Sequence, residues 1–306
     1  MSSLLITGGL GFIGKHLIKN FISKGHTIVV LEHPSFKSVS HIYPVKYVYA
    51  DITNYSELSS LKLPKIDVVI HLAGQSSGPK SFSIPEIDLS LNALGTLNMI
   101  KFCKINCIHR LLFASSFVVY GNSSTEILEE NSPTKPASVY GSSKLYAENL
   151  LRTFAEPNGI KWNSLRMFNV YGPGQDITKP DQGIVGIFLN QLLSSPIVNV
   201  KGTISRFRDL VYIDDVVKGW DCVLESSSYN EVFNVGSGSK TTIEILIKEI
   251  ASLLDLSNEL VINEIEPTPG DVNGAFASLE KISSLTNYKP TTTLREGLSR
   301  MVEMYS

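Results

Sequence analysis

Leu4-Leu5-Ile6-Thr7-Gly8-Gly9-Leu10-Gly11-Phe12-Ile13-Gly14 is the stretch from which the fold can be read. A short apolar run enters a turn with glycines three apart at 8, 11 and 14, and an amphipathic stretch follows from Phe12 to Lys24. Gly8 permits the tight turn, Gly11 lets backbone approach a pyrophosphate, and Gly14 lets helix and strand pack closely. The N-terminus of the following helix then offers N–H donors and a positive dipole end to phosphate. Such a glycine pattern is weak evidence alone. Here a strand precedes it, a helix follows it, and Thr27 to Leu31, apolar or β-branched throughout, leads to an acidic residue, Glu32. Glu32 is placed to accept hydrogen bonds from two ribose hydroxyls. A carboxylate there repels a 2′-phosphate, and neighbouring His33 is mostly neutral at pH 7, so NAD is expected in preference to NADP.

Working outward, Tyr47–Ala50, Asp67–Ile70 and Arg110–Ala114 read as further buried strands, with a helical period from Pro85 through Cys103. Strand and helix alternating every ~30 residues predict a doubly wound α/β fold with a parallel sheet. Beyond Arg166 turn-rich stretches separate shorter elements, and Val232-Phe233-Asn234-Val235 reads as one more core strand. The expected division is a dinucleotide-binding domain over 1–165, to which about 210–240 returns. A smaller, partly discontinuous C-terminal lobe is expected from 166–209 and 241–306.

With 43% apolar and 18% charged residues among 306, the chain can bury a core and is not disordered. Its formal charge of −2 lacks the basic footprint of a nucleic-acid binder. Three cysteines cannot form a disulfide framework and point to a reducing compartment. No basic segment with an apolar run follows Met1, and no apolar stretch approaches the ~18 residues of a membrane span, so a cytoplasmic protein is expected. Cys103 and Cys107 are spaced as on one helix turn but have no His/Cys partners nearby. They read as ordinary thiols, as does Cys222, and no metal site is expected. His71 ends a strand and reads as a packed histidine. His16, His26, His41 and His109 show no spacing that suggests chemistry.

Tyr140-Gly141-Ser142-Ser143-Lys144 puts a phenol and an ammonium four residues apart, on one face if helical. The cation is expected to stabilise the phenolate and to lower the tyrosine from ~10 toward neutrality. A tyrosine so tuned can exchange a proton with a sugar hydroxyl while hydride moves to or from nicotinamide. Ser115-Ser116 follow strand 110–114, at the end of a parallel strand where such folds bind ligands.

These residues, with Asp51-Ile52, His71-Leu72-Ala73-Gly74, Asn92 before Gly95-Thr96, Tyr120-Gly121, Leu165 through Gly174, Arg208 through Asp215, Phe233 through Gly236 and Pro269 through Val272, run nearly end to end. Together they resemble an extended short-chain dehydrogenase/reductase of the nucleotide-sugar epimerase/dehydratase family, of the UDP-glucose 4-epimerase kind. The resemblance implies a Rossmann domain and a homodimer in which stretches 89–103 and 145–154 pair between subunits. It implies catalysis by Ser116, Tyr140 and Lys144. The cofactor would be held by Gly8, Gly11, Phe12, Ile13, Gly14, Glu32, Asp51, Ile52, Leu72, Ala73, Gly74, Asn92, Ser115, Tyr140, Lys144 and Met167. A nucleotide-sugar would meet Gln75, Ser76, Phe117, Asn169, Val185, Arg206, Arg208 and Asp271. A guanidinium suits a diphosphate, the lesser alternative for Arg208 being a salt bridge to Asp209 or Asp214.

Departures from the family narrow the chemistry. Dehydratases carry Asp-Glu directly after the serine, and fucose-forming epimerase/reductases carry a cysteine there. This chain has Phe117-Val118, with no exchangeable proton, which disfavours both reactions. Thr268 stands where many members have an arginine, and Arg206 either compensates or is solvated. Three readings remain open: a nucleotide-sugar epimerase acting by transient oxidation at C4, a C4 dehydrogenase or 4-ketosugar reductase, and a non-catalytic NAD-binding protein.

Overall fold

The computed structural model describes residues 1–306 except 40–42, 182 and 268–272, so Asp271, Thr268 and His41 lie outside the described residues. Seven parallel strands form the central sheet: β1 (Ser3–Thr7), β2 (Thr27–Glu32), β3 (Lys46–Tyr49), β4 (Val68–His71), β5 (Arg110–Ser116), β6 (Lys161–Met167) and β7 (Glu231–Val235). Their spatial order is 3-2-1-4-5-6-7. The chain reverses direction across the sheet between β1 and β4, which opens a crevice at their carboxyl ends.

Alternation along the strands explains why both faces are apolar. Leu4, Ile6, Ile28, Val30, Ile70 and Leu112 feed one buried cluster, while Leu5, Val29, Leu31, Val69 and Leu111 feed another on the opposite face. Helix α1 (Phe12–Ser23) packs on the first cluster through Leu17, Ile18 and Phe21. Helices α2 (Gly95–Ile105) and α3 (Val139–Leu150) cover the second side, which holds Met99, Ile100, Phe102 and Ala147. A third cluster forms from α4 (Ile184–Ser194), α6 (Ile243–Leu253) and α7 (Leu294–Tyr305), with Val198 and Val200 of a separate two-stranded sheet. Between these, α5 (Ile213–Glu225) sends Val216, Val217, Trp220 and Val223 into the first cluster. Cys103 lies on α2, whereas Cys107 follows the helix at φ 52°, so the expected one-turn spacing is not realised. Among the described residues no helix is long and apolar enough to cross a membrane.

Strand β6 is the element that the hydropathy pattern conceals. Asn163, Ser164 and Arg166 are all buried in it, each held by a polar partner. Asn163 Nδ2 donates to the Ser228 carbonyl at 3.1 Å. The Arg166 guanidinium donates to the Glu148 carboxylate of α3 twice, at 3.0 and 2.7 Å, and the hydroxyls of Ser115 and Ser164 donate to the same carboxylate at 2.6 and 3.1 Å. This buried ion pair joins α3 to the ends of β5 and β6. Removing one partner strands a desolvated charge, so Arg166→Met should lower stability by about 3–5 kcal/mol. Urea unfolding checks this, with Arg166→Met plus Glu148→Leu losing much less; equal losses would mean the charge pairing is not what matters.

Candidate active site

The glycine turn is forced by contacts on both sides. Gly8 has φ +70°, and a Cβ there would stand 2.9 Å from Ala73 N, so the turn lies directly on the loop after β4. A Cβ on Gly14 would come within 2.5 Å of Gly8 O, which prevents any side chain where α1 meets β1. Gly11 is the N-cap of α1 and supplies no side-chain acceptor, leaving the first-turn N–H groups to face the crevice. Phe12 and Ile13 are half-buried against the third cluster.

Glu32 ends β2 and is 6% exposed. Its Oε1 accepts the Leu10 N–H at 2.6 Å, and burial raises its carboxyl above the usual range. The carboxylate therefore braces the turn from below as well as standing where a ribose would be recognised. Asp51 accepts the Thr53 N–H at 2.8 Å, and buried Ile52 presses so closely on Gly95 that a Cβ there would meet it at 2.7 Å. Leu72 and Ala73 donate their N–H groups to Thr7 Oγ1 at 3.2 and 3.0 Å. His71 is indeed packed, bonding Thr7 Oγ1 at 2.8 Å and Thr96 Oγ1 at 3.2 Å, and burial pushes it down to about 3.

Ser116, Tyr140 and Lys144 meet at the end of β5. The Ser116 side chain lies near enough to the Tyr140 phenol to favour its ionised form. Ser138 caps α3 by accepting the Gly141 N–H at 3.1 Å, and the helical turn then puts Tyr140 and Lys144 on one buried face. Gly141 is needed because a Cβ would approach Val118 O at 2.8 Å. The electrostatics differ from the sequence expectation. Burial pushes Tyr140 up to about 12, against the lowering effect of Ser116, and Lys144 contributes no lowering. The ammonium instead donates to the Ala114 carbonyl at 2.9 Å, and burial lowers it to about 8. Burial thus favours the protonated phenol.

The other expected residues divide into two groups. Asn92, Gly74 and Lys144 converge, since a Cβ on Gly74 would meet Asn92 Oδ1 at 2.4 Å and Lys144 Nζ at 3.3 Å. Phe117 is half-buried beside Ser116 and stacks on Phe168 with centroids 5.1 Å apart. Ser76 is exposed in the same loop as buried Gln75. Other expected side chains are engaged in packing. The Ser115 hydroxyl is committed to Glu148, Met167 Sδ accepts from Trp220 Nε1 at 3.4 Å, and Gln75 Nε2 donates to Asp88 at 2.8 Å. Val185 is 1% exposed inside the third cluster, so only its backbone can face a ligand.

Asn169 pairs with the Asp209 carbonyl through its N–H and its Nδ2, at 3.1 and 3.0 Å. Arg208 is 5% exposed, and burial together with the nearby charge of Arg206 lowers it to about 10. The two carboxylates named in the sequence as its competitors have other partners. Asp209 accepts from Ser237 N, Ser237 Oγ, Gly238 N and Ala277 N at 2.7–3.0 Å, and Asp214 lies 3.5 Å from Arg300. Arg206 donates to the carbonyls of Thr203 and Lys201. Two residues that sequence reasoning missed, Asp88 and Glu148, lie directly beneath the constellation; each reads in sequence as an ordinary acid on a helix.

His71 gives a pH test. Its folded pKa lies below the unfolded value of about 6.5, so the unfolded chain binds the extra proton first, and stability falls as pH drops from 6.5 toward 3. The slope from this group is at most about 1.4 kcal/mol per pH unit. His71→Asn should flatten the urea midpoint against pH across that window; an unchanged slope would contradict the assignment.

The family model for the NAD dependent epimerase/dehydratase family matches residues 4–236. The dTDP-4-dehydro-6-deoxyglucose reductase of Escherichia coli is 30% identical over 99% of this chain and 97% of its own length. The UDP-glucose 4-epimerase of Thermotoga maritima, solved with UDP-glucose, superimposes with a TM-score of 0.90 at 30% identity, covering 99% of this chain and 98% of that one. The UDP-glucose 4-epimerase of Thermus thermophilus in complex with NAD gives 0.87 at 28% identity, with the same coverage. A glycine turn seated on the β4 loop, an acid at the end of β2 and a Ser–Tyr–Lys constellation at the end of β5 thus coincide with a match over most of the chain, which belongs to the NAD-dependent epimerase/dehydratase family.

Proposed function

We propose that this protein is an NAD-dependent epimerase of a nucleotide-diphosphate sugar, acting by transient oxidation at C4. The observation that carries this reading is the buried Ser116–Tyr140–Lys144 cluster at the sheet's carboxyl edge, beside a glycine turn shaped for a dinucleotide. The crevice fits the cofactor. Gly8 and Gly14 leave no room for side chains, Gly11 leaves the α1 N-terminus open to a pyrophosphate, and Glu32 favours free ribose hydroxyls over a 2′-phosphate. Asp51 and Ile52 would border the adenine, while Leu72, Ala73, Gly74, Asn92 and Lys144 would line the nicotinamide side. NAD, when bound, supplies the acceptor and donor of hydride at C4.

The chain's own part is proton handling and orientation. Once a complementary positive charge in the filled site offsets its desolvation and it gives up its own proton, Tyr140 as phenolate would take the proton of the C4 hydroxyl and return it after the sugar has turned over, with Ser116 sharing the hydrogen bond to the reacting oxygen. Phe117 and Val118 offer no acid or base to eliminate water, which supports redox at one carbon over dehydration. Arg208, with Arg206 and Asn169, is assigned to the diphosphate. A guanidinium matches the paired oxygens of a diphosphate and is held in a buried, desolvated position here. A C4 dehydrogenase would use the same residues and release the oxidised sugar with reduced nicotinamide; a ketosugar reductase would run that half-reaction in reverse, a reading favoured by the similarity to the Escherichia coli reductase.

The cofactor role is assigned to 1–165 with about 210–240, because β7 and α5 pack with the main sheet. The sugar role is assigned to 166–209 and 241–306, whose apolar residues form the third cluster. Leu89, Leu94 and Tyr146 are 55%, 43% and 55% exposed on neighbouring helices, which supports a homodimer through that face. Three free cysteines fit a cytoplasmic location.

Denaturing the purified protein should release near-stoichiometric NAD or NADH, and UDP-glucose should be inverted at C4 without net nicotinamide reduction. Stoichiometric build-up of reduced nicotinamide would move the assignment to the dehydrogenase. Tyr140→Phe should lose at least a thousandfold in kcat while keeping its NAD, and surviving turnover would remove Tyr140 from its role. Arg208→Ala should raise the KM for the nucleotide-sugar far more than it weakens NAD retention. Leu94→Glu with Tyr146→Glu should halve the mass found by light scattering if the proposed dimer face is right.

A further inference from the structure

Asp88 is fully buried and, among the described residues, has no ion-pair partner within 4.0 Å. Its Oδ2 accepts from Gln75 Nε2 at 2.8 Å and its Oδ1 from Asn92 Nδ2 at 3.3 Å. Asn92 in turn clasps the Gln75 backbone, accepting its N–H at 3.0 Å and donating to its carbonyl at 3.1 Å, and reaches Ser143 Oγ on α3 at 3.0 Å. The Gln75 side chain closes the loop by donating to the Ser77 carbonyl at 2.8 Å and accepting the Ser77 N–H. Asp88 precedes a π-helical turn, Leu89–Leu94, whose extra residue per turn brings Asn92 out of regular register. Asn92 Oδ1 and the Lys144 ammonium both crowd Gly74, standing 2.4 and 3.3 Å from where a Cβ would be, so Asn92 places Asp88 in the neighbourhood of that ammonium.

A buried carboxylate costs several kcal/mol of desolvation unless its surroundings compensate. The groups facing Asp88 are Lys144 and Tyr140 of α3 and Lys80 of the short helix Gly78–Ser83. Beyond Lys144 lie Glu148 and the neutral His71, and across the loop Ser77 Oγ donates to Asp181 at 3.1 Å. We propose that Asp88 is a positioning residue for the reaction: the buried anion that balances the Lys144 ammonium and, through Gln75 and Asn92, fixes the Gly74–Ser77 segment against α3. The role in the reaction rests on the function proposed above; the charge balance does not. Burial raises Asp88 while Lys144 and Lys80 pull it down, and the Asp88 charge raises both Lys144 and Tyr140.

The test is Asp88→Asn in the protein as purified, with two readouts. The Lys144 titration, followed by NMR of lysine labelled with carbon-13 at Cε and assigned with Lys144→Arg, should have its midpoint near 8 in the parent. It should fall by about one pH unit in the variant. The acid limb of kcat/KM against pH for UDP-glucose should move the same way. If the amide upsets the loop, Asp88→Ala removes the same charge, leaves room for water on the two donors, and should give the same shift. A midpoint unmoved in a folded variant, with activity lower at every pH, makes Asp88 purely structural and overturns the proposal. A parent that turns over no UDP-sugar refutes the proposed function, while the lysine titration still decides the role of Asp88.

Discussion

The buried Glu148 carboxylate is the constraint on which the site depends. It receives hydrogen bonds from Ser115, Ser164 and Arg166, and so locks α3 to the ends of two adjacent strands. Lys144 and Tyr140 ride on that helix one and two turns N-terminal of it, while Ser116 is carried by the strand it grips. The separation of phenol, serine hydroxyl and ammonium is therefore set by a buried charge pair and two hydroxyls. Arg166 also stacks over the Tyr120 ring at 4.7 Å, and the Tyr120 hydroxyl donates to Asn234 Oδ1 on β7 at 2.7 Å, so the network spans three strands.

A similar economy governs the cofactor side. Thr7, the last residue of β1, accepts two N–H groups from the β4 loop and bonds His71, while the Glu32 carboxylate holds Leu10. The glycine turn is thus pinned by side chains from both neighbouring strands. Its shape is set by the protein's own side chains, which lowers the ordering cost of binding a ligand there.

The same burial that pre-organises the site opposes its chemistry. Desolvation keeps Tyr140 protonated and lowers Lys144 and Arg208 toward their neutral forms. Lys144 at about 8 and Arg208 at about 10 still favour their charged forms near neutral pH, whereas Tyr140 favours its charged form only when a complementary charge arrives, so ligand binding and activation of the phenol are coupled by electrostatics. A spacing argument that brings a lysine beneath a tyrosine does not include this desolvation, and so it misjudges the sign for the ligand-free protein.

The sequence by itself determined the doubly wound fold, the glycine turn, Glu32 and the Tyr140–Lys144 face, because these follow from local periodicity, turn chemistry and helical spacing, which act over a few residues. It did not disclose β6, whose Asn163, Ser164 and Arg166 break the apolar run and are tolerated only because partners from α3 and distant loops satisfy them. Nor did it separate Gln75, Ser115 and Val185, which face packing, from Asn92 and Phe117, which stand beside the constellation. Asp88 was equally hidden, since a lone acid in a helical stretch has the pattern of a solvated face. Those choices belong to the tertiary structure, where burial and the placing of partners far apart in sequence decide whether a polar group is solvated, satisfied or reactive.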